Sequence, residues 1–172
     1  MKTRILVILS LLVGIGAVLH AVVPPILFGM KPDMLLSMMF LGILLFPKMN
    51  YVLLVSIVTG IISALTTGMA GGQIANIVDK PVTALLFLGL YLFIRDKVNG
   101  NISAPILTAI GTIISGTIFL TVILSIGAMQ GAFIPLFIGI VLPTAVVNTL
   151  IMIVIYPVVN QIMSRMQPIS IS

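Results

Sequence analysis

The sequence predicts an all-α integral membrane protein, a bundle of six transmembrane helices that forms one domain over residues 1–172. Three observations support this fold class. The chain is 60% hydrophobic and only 6% charged, against roughly 25% charged in an average soluble domain. Its long apolar runs are separated by short breaks that contain proline or charged residues. Six spans of about 20 residues use most of the length, which leaves room only for short loops.

The first three helices are bounded by prolines and polar breaks. An apolar run predicts helix one at about 5–23, and Pro24-Pro25 ends it because proline cannot donate a backbone hydrogen bond. The next run, closed by a Pro-Lys pair, predicts helix two at about 33–46. Helix three, at about 51–70, is interrupted only by small and hydroxylic residues, which the interior of a membrane bundle tolerates.

Three more helices follow a polar segment at 71–80, which is predicted to be a loop. Helix four is expected at about 81–94, because a proline is favoured at a helix start and a charged cluster follows the apolar run. Two longer apolar runs predict helix five at about 102–129 and helix six at about 133–163.

The distribution of basic residues predicts that both termini are cytoplasmic. Lysine and arginine are enriched in cytoplasmic loops, and an inner N-terminus puts six of them inside and two outside. The six are Lys2, Arg4, Lys48, Arg95, Lys97 and Arg165, and the two are Lys31 and Lys80.

Helices two and four are predicted to be short. Each is preceded or begun by a three-residue segment of lysine, proline and aspartate, here called a step. Their apolar cores of about 13 residues extend roughly 20 Å, less than the roughly 30 Å of a hydrocarbon core. Short, proline-interrupted segments in matching positions are a pointer to binding sites in membrane transporters, so both steps are candidates to line a cup below the outer surface. Alternatively, the aspartates only cap helices and the lysines extend to lipid headgroups. The steps are Lys31-Pro32-Asp33 and Asp79-Lys80-Pro81.

The sequence offers little material for catalysis, and no metal or cofactor is expected. No Gly-Lys-Ser/Thr phosphate loop occurs, so any ATPase must be another chain. One histidine, three acidic residues and no cysteine leave little for a metal cluster or an acid–base pair. The net charge of +5 comes from scattered basic residues, without the stripe that nucleic-acid binding needs. Neither an enzyme nor a nucleic-acid-binding protein is therefore expected.

The residues around the two steps form a candidate ligand site. A ligand with the groups of an amino acid needs a cation for its carboxylate, an acceptor for its ammonium and an apolar slot for its side chain. The lysines and aspartates of the steps supply the charges. The amides are Gln73 and Asn76, and the apolar residues are Phe28 and Met34.

Three further features have two interpretations each. Asn148, deep in helix six, either reaches the ligand or only joins two helices by a hydrogen bond. His20, near the outer end of helix one, either faces the cup or bonds a backbone carbonyl at the interface. The small residues of helix one either dock a partner subunit or pack within the bundle. They are Gly14, Ala17 and Ala21.

Several segments carry a resemblance to a known family. They read Gly-Ala-Val-Leu-His at 16–20, Gly-Met-Lys-Pro-Asp at 29–33, Thr-Gly-Ile-Ile-Ser-Ala-Leu-Thr-Thr at 59–67 and Val-Leu-Pro-Thr-Ala-Val-Val-Asn-Thr at 141–149. Together they resemble the TrpP-type tryptophan transporters of Firmicutes. The resemblance covers nearly the whole chain. It includes the polar residues that separate the apolar runs as well as the hydrophobicity of those runs.

The resemblance implies a function, because this family is similar in size and helix number to the S components of energy-coupling-factor (ECF) transporters. It implies a multi-pass protein, surrounded by lipid in a bacterial cell membrane, that takes up L-tryptophan. By this analogy, helix one docks on a transmembrane coupling subunit driven by two ATPase subunits. The site roles rest on the two steps and not on the resemblance: Lys31 and Lys80 would bind the carboxylate of tryptophan, and Asp33 or Asp79 its ammonium. The alternatives are a secondary tryptophan transporter acting alone, an S component for a vitamin, and a structural membrane subunit that transports nothing.

Overall fold

Six helices make up the described part of the chain, residues 2–23 and 32–165 of a computed structural model. They are α1 (Thr3–Val22), α2 (Met34–Leu45), α3 (Met49–Thr66), α4 (Gly72–Ile94), α5 (Gly100–Ser125) and α6 (Phe133–Arg165). All except α2 are long and apolar enough to cross a membrane. The predicted all-α integral membrane fold is therefore confirmed, whereas the cytoplasmic position of both termini stays a prediction.

Helix α2 lies at the centre of the bundle. Every residue from Met34 to Leu44 is buried, and the helix packs against all five others. A helix that is apolar on every side needs such an enclosed position. Its 12 residues extend about 18 Å, so it falls about 12 Å short of the roughly 30 Å hydrocarbon core.

Aromatic packing fixes α2 against its neighbours. Phe40 of α2 stacks on Phe87 of α4 with ring centroids 4.1 Å apart and planes 5° from parallel. Gly111 of α5 faces both rings, and a Cβ at this position would lie 2.7–2.8 Å from their carbon atoms. The absent side chain therefore leaves the space that the stacked pair occupies.

The predicted loop at 71–80 is wrong, because this segment forms the first part of α4. The polar residues that suggested a loop, Asn76, Asp79 and Lys80, lie on one buried face of the helix. Their polar groups find partners inside the bundle, so the helix continues through them. Pro81 lies within α4 rather than at its start, and transmembrane helices tolerate such a proline where neighbours satisfy the backbone.

The buried position of Lys80 changes the count of basic residues from which the orientation was predicted. Lys80 is buried within α4 and no longer counts as a loop residue. The loops and termini then carry six basic residues on the predicted inner side and only Lys31 on the predicted outer side.

A tight turn joins α3 to α4. Helix α3 ends at Thr66, earlier than the predicted end near residue 70. Gly71 has a φ of 73°, a left-handed conformation that glycine adopts without strain. A Cβ at Gly71 would also collide with Ala128, which follows α5.

Helix α6 contains a π-helical segment, Phe137–Val141. Such segments widen one turn of a helix and are frequent at functional sites. Val141 packs directly over Gly116 of α5, where the missing Cβ lets the two helices approach closely.

Candidate functional site

A cluster of three charged side chains lies inside the bundle. The Lys80 ammonium is 2.9 Å from a carboxylate oxygen of Asp33 and 2.9 Å from one of Asp79. Lys80 and Asp79 belong to α4, and Asp33 is the N-cap residue of α2. We call Asp33, Asp79 and Lys80 the charge cluster. It contains two of the three acidic residues of the chain.

The location of the charge cluster follows from the lengths of two helices. Helix α2 is about 12 Å too short to cross the membrane, and Lys80 lies eight residues after Gly72, about 12 Å along the axis of α4. The start of α2 and Lys80 therefore reach the same depth, where their side chains meet.

Hydrogen bonds from two other groups hold Asp79 in place. The Ser115 hydroxyl of α5 donates to one of its carboxylate oxygens at 2.7 Å, and the Thr83 hydroxyl donates to the other at 2.7 Å. Asp79 is fully buried, with 0% of its side chain exposed. Its oxygens are thus engaged by Lys80 and by two hydroxyls, which makes Asp79 a fixed anchor for the ammonium.

Asp33 differs from the other two members because part of its side chain is accessible. Its exposed fraction is 23%, against 2% for Lys80. One of its oxygens accepts a hydrogen bond from the Leu36 backbone N–H at 2.9 Å, which caps α2. Asp33 is therefore the member of the cluster that can accept a further hydrogen bond from a ligand.

A cavity of about 190 Å³, the inner chamber, opens beside the charge cluster. One wall is polar and carries the cluster, and the other walls are largely apolar. Its lining consists of Asp33, Leu36, Met69, Asn76, Asp79, Lys80, Thr112, Ser115, Gly116, Phe119, Leu120, Ile140, Val141 and Thr144. For comparison, an engineered apolar cavity of about 150 Å³ binds benzene. The inner chamber thus has the size and lining to receive an aromatic side chain.

A second cavity of about 660 Å³, the outer chamber, adjoins the first. The two share five lining residues and therefore lie side by side: Met69, Asn76, Phe119, Ile140 and Thr144. The outer chamber is also lined by His20, Ser63, Thr66 and Thr67. Its walls are therefore more polar than those of the inner chamber.

The structure brings together several of the residues that the sequence nominated. Asp33, Asp79, Lys80 and Asn76 line the inner chamber, and His20 lines the outer one. Asn76 also donates to the Gly72 carbonyl at 2.9 Å, a bond within its own helix.

Other nominated residues lie elsewhere. Gln73 is exposed on α4 and lines neither chamber. Met34 is buried in α2 without lining either chamber. Asn148 is fully buried and donates to Thr112, a lining residue, at 3.4 Å. Lys31 and Phe28 fall outside the described residues.

Sequence reasoning missed the contribution of α5. Five of its residues line the inner chamber at the spacing of one helix face: Thr112, Ser115, Gly116, Phe119 and Leu120. Small and hydroxylic residues recurring at this spacing within an apolar helix were the available signal. The partner of Ser115 was not readable from the sequence, because Asp79 belongs to a different helix.

The small residues of α1 divide between two environments. Gly14 and Ala21 are exposed, and a Cβ at Gly14 would meet no atom within 4 Å. Ala17 is partly buried and packs against the core. The exposed face of α1 thus includes Gly14, Val18 and Ala21, whereas Ala17 belongs to the packing inside the bundle.

The described residues contain no group of three or more His, Cys, Asp or Glu side chains that could hold a metal ion. The charge cluster consists of an internal ion pair with a second carboxylate. Ionisable groups at this depth are costly to bury and usually mark a ligand or ion path.

Comparison with known proteins gives consistent matches along the chain. The family described as "Tryptophan transporter TrpP" matches residues 2–164. A "Probable tryptophan transport protein" of Bacillus subtilis (strain 168) is 56% identical over 165 residues, which cover 96% of this chain and 95% of the relative. Proteins of the same name from Clostridium acetobutylicum and Clostridium perfringens are 41% and 33% identical, and each alignment covers 95% of both chains. No solved structure matches the chain significantly.

Proposed function

The chain belongs to the TrpP family of tryptophan transporters, and on that premise we propose that it binds L-tryptophan in the two chambers and takes it up into the bacterial cell. It is a multi-pass membrane protein, with five helices long and apolar enough to span the bilayer. The observation that carries the proposed binding mode is Asp33, an accessible carboxylate beside an apolar chamber in the interior of the bundle.

In this binding mode, the ammonium of tryptophan bonds to Asp33. The indole ring occupies the inner chamber against Phe119, Leu120 and Ile140. Apolar and aromatic walls with a few placed polar groups are the usual composition of a small-molecule site. The carboxylate faces the outer chamber, whose lining includes His20 and three hydroxylic residues.

Lys80 has a positioning role in this proposal. Two carboxylates already hold its ammonium, and only 2% of its side chain is exposed. It therefore fixes the orientation of Asp33 rather than binding the carboxylate of tryptophan, the role that the sequence had suggested. Breaking such a buried ion pair is costly, which keeps Asp33 in one geometry.

Calorimetric titration of the purified chain with L-tryptophan, riboflavin and thiamine tests the substrate. We expect saturable binding of tryptophan alone, and at least about tenfold weaker binding in Asp33→Asn, because a charged hydrogen bond contributes roughly 1.5–3 kcal/mol. Asp96→Asn is the matched control, since Asp96 is 81% exposed and pairs with Arg95 outside the chambers. Unchanged affinity in Asp33→Asn would exclude this binding mode, and binding of a vitamin instead would indicate an S component for that vitamin.

We further propose that the chain acts as the substrate-binding S component of an ECF-type importer. Two observations support this role. The sequence contains no phosphate-binding loop of its own. The exposed face of α1 carries Gly14 and Ala21, where small side chains allow another helix to approach closely.

Uptake into proteoliposomes tests this role. An S component requires a coupling subunit, two ATPases and ATP, and Gly14→Leu is expected to reduce uptake without changing tryptophan affinity. Gly89→Leu on α4 is the matched control, because a Cβ at Gly89 likewise meets no atom within 4 Å.

A secondary transporter acting alone is the second candidate, and the charge cluster is the observation that favours it. Buried carboxylates serve as proton sites in many membrane pumps and transporters. Tryptophan uptake by the chain alone, driven by an imposed proton gradient without ATPases, would select this candidate over the S component.

A further inference from the structure

Asn76 presents an unused hydrogen-bond acceptor to the two chambers. Its amide nitrogen donates to the Gly72 carbonyl at 2.9 Å and to the Ser63 carbonyl at 3.4 Å, so both amide hydrogens are engaged. No described residue donates to the amide oxygen, and this oxygen is not among the sealed, unpaired polar atoms of the described residues. Because Asn76 lines both chambers, its oxygen is open to a ligand in either of them.

The chemistry of this oxygen limits what it can bind. An amide oxygen only accepts hydrogen bonds, and so do the two oxygens of a carboxylate. Presenting the nitrogen of Asn76 instead would take the donor away from both backbone carbonyls, inside a side-chain environment that is only 7% exposed. Of the two charged groups of an amino acid, the Asn76 oxygen can therefore bond only the ammonium.

The position of Asn76 places its oxygen on the same wall as the charge cluster. Lys80 follows four residues later on α4, one turn along the same buried face. The Lys80 ammonium holds Asp33 at 2.9 Å, and both Asp33 and Asn76 line the inner chamber. Asn76 also lines the outer chamber, which Asp33 does not. An ammonium at Asp33 whose carboxylate faces the outer chamber thus lies beside Asn76.

We propose that the Asn76 oxygen accepts a second hydrogen bond from the α-ammonium of tryptophan, which makes Asn76 a residue that determines specificity for a primary ammonium. This inference rests on the proposed function, in which Asp33 accepts the first bond. An ammonium carries three N–H donors that point in different directions. Asp33 already accepts from Lys80 and from the Leu36 backbone N–H, so a second acceptor on the same wall completes the site.

The derivative Nα,Nα-dimethyltryptophan isolates the proposed bond. Its ammonium keeps the positive charge and one N–H for Asp33, but it has no further N–H for Asn76. A site built around a ligand N–H discriminates against an analogue that lacks it, because the acceptor is left unpaired. We expect the wild-type protein to bind tryptophan at least about tenfold more tightly than the derivative, the ratio that corresponds to roughly 1.4 kcal/mol.

Equilibrium binding of both ligands to the purified full chain, in wild type and in Asn76→Leu, tests the proposal. Leucine is close to asparagine in size and offers no acceptor. The variant should bind tryptophan more weakly and the derivative about as well as before, so that the preference falls toward one. Gln73→Leu is the matched control, since Gln73 is an exposed amide on the same helix and lines neither chamber; it should keep the wild-type ratio.

The outcomes separate this inference from a structural role and from the proposed function. Equal affinity of the wild-type protein for both ligands overturns the inference without any variant, so a failure of Asn76→Leu to fold does not remove the test. A folded Asn76→Leu protein that keeps the wild-type preference overturns it as well, because Asn76 then acts only by joining α4 to α3. Absence of tryptophan binding to the wild-type protein overturns the proposed function together with the inference.

Discussion

Lys80 and Asp33 are 47 positions apart in the sequence, and their charged groups meet at 2.9 Å inside the bundle. The pair joins the middle of α4 to the N-cap residue of α2, the helix that every other helix contacts. A carboxylate oxygen of Asp79 also lies 2.9 Å from the same ammonium. The arrangement places a fixed, partly accessible carboxylate at the wall of an apolar chamber.

Replacing Lys80 by methionine should destabilise the protein by about 3–5 kcal/mol, because two buried carboxylates lose the cation between them. Thermal unfolding of the purified protein in detergent measures the change. Lys48→Met is the control, since Lys48 is exposed before α3 and should be close to wild type. Equal unfolding temperatures for Lys80→Met and wild type would show that the ion pairs contribute little.

A variant with all three charges removed should separate stability from binding. Asp33→Asn combined with Asp79→Asn and Lys80→Met leaves no unpaired charge, so it should recover much of the stability that Lys80→Met alone loses. It should still bind tryptophan at least about tenfold more weakly, since the charged acceptor for the ammonium is gone. Thermal unfolding and calorimetric titration on the same sample measure both, and wild-type affinity in this variant would contradict the proposed site.

Two glycine-to-alanine changes should have effects of opposite sign. Gly111→Ala introduces a methyl group against the stacked rings of Phe40 and Phe87, and such overpacking costs about 1–3 kcal/mol. Gly89→Ala adds a methyl group in open space on a helix and should stabilise by about 0.5–1 kcal/mol. Unfolding temperatures of the two variants measure both effects. A neutral Gly111→Ala would mean that the two rings can move apart at little cost.

Filling the junction between the chambers should block binding without unfolding the protein. Thr144 lines both chambers, so a phenyl ring in Thr144→Phe occupies the path that the ligand follows. Tryptophan affinity should fall by at least about tenfold, as expected when one well-placed contact of roughly 1.4 kcal/mol is lost. Val146→Phe on the exposed face of α6 is the control, because Val146 is 57% exposed. Normal binding in Thr144→Phe would place the ligand in another cavity.

The sequence was informative where hydrophobicity and length decide the structure. The apolar runs predicted the all-helical membrane fold, and the short second run predicted that α2 begins well inside the bundle. The same reasoning singled out Asp33 and Lys80 as residues below the outer surface. The fold prediction succeeds because a bilayer demands continuous apolar helices, whereas the position of Asp33 and Lys80 below the outer membrane surface stays a prediction.

Sequence reasoning failed where the environment of a polar residue depends on a distant partner. The segment before Pro81 reads as a loop because a lone lysine or aspartate is expected in water. Inside the fold, Asp33 and Ser115 come from other helices to satisfy Lys80 and Asp79. No periodicity within α4 encodes those contacts, so the helix start was placed nine residues too late, at 81 instead of 72.

The central position of α2 also has a consequence for biosynthesis. Asp33 is made 47 residues before Lys80, and at roughly 5–20 residues per second this separation corresponds to about 2–9 s of translation. During that interval the nascent chain holds a 12-residue helix that is too short to span the bilayer, capped by a carboxylate whose cation does not yet exist. We therefore expect α2 to reach its final position only after α4 has left the ribosome and Lys80 can pair with Asp33.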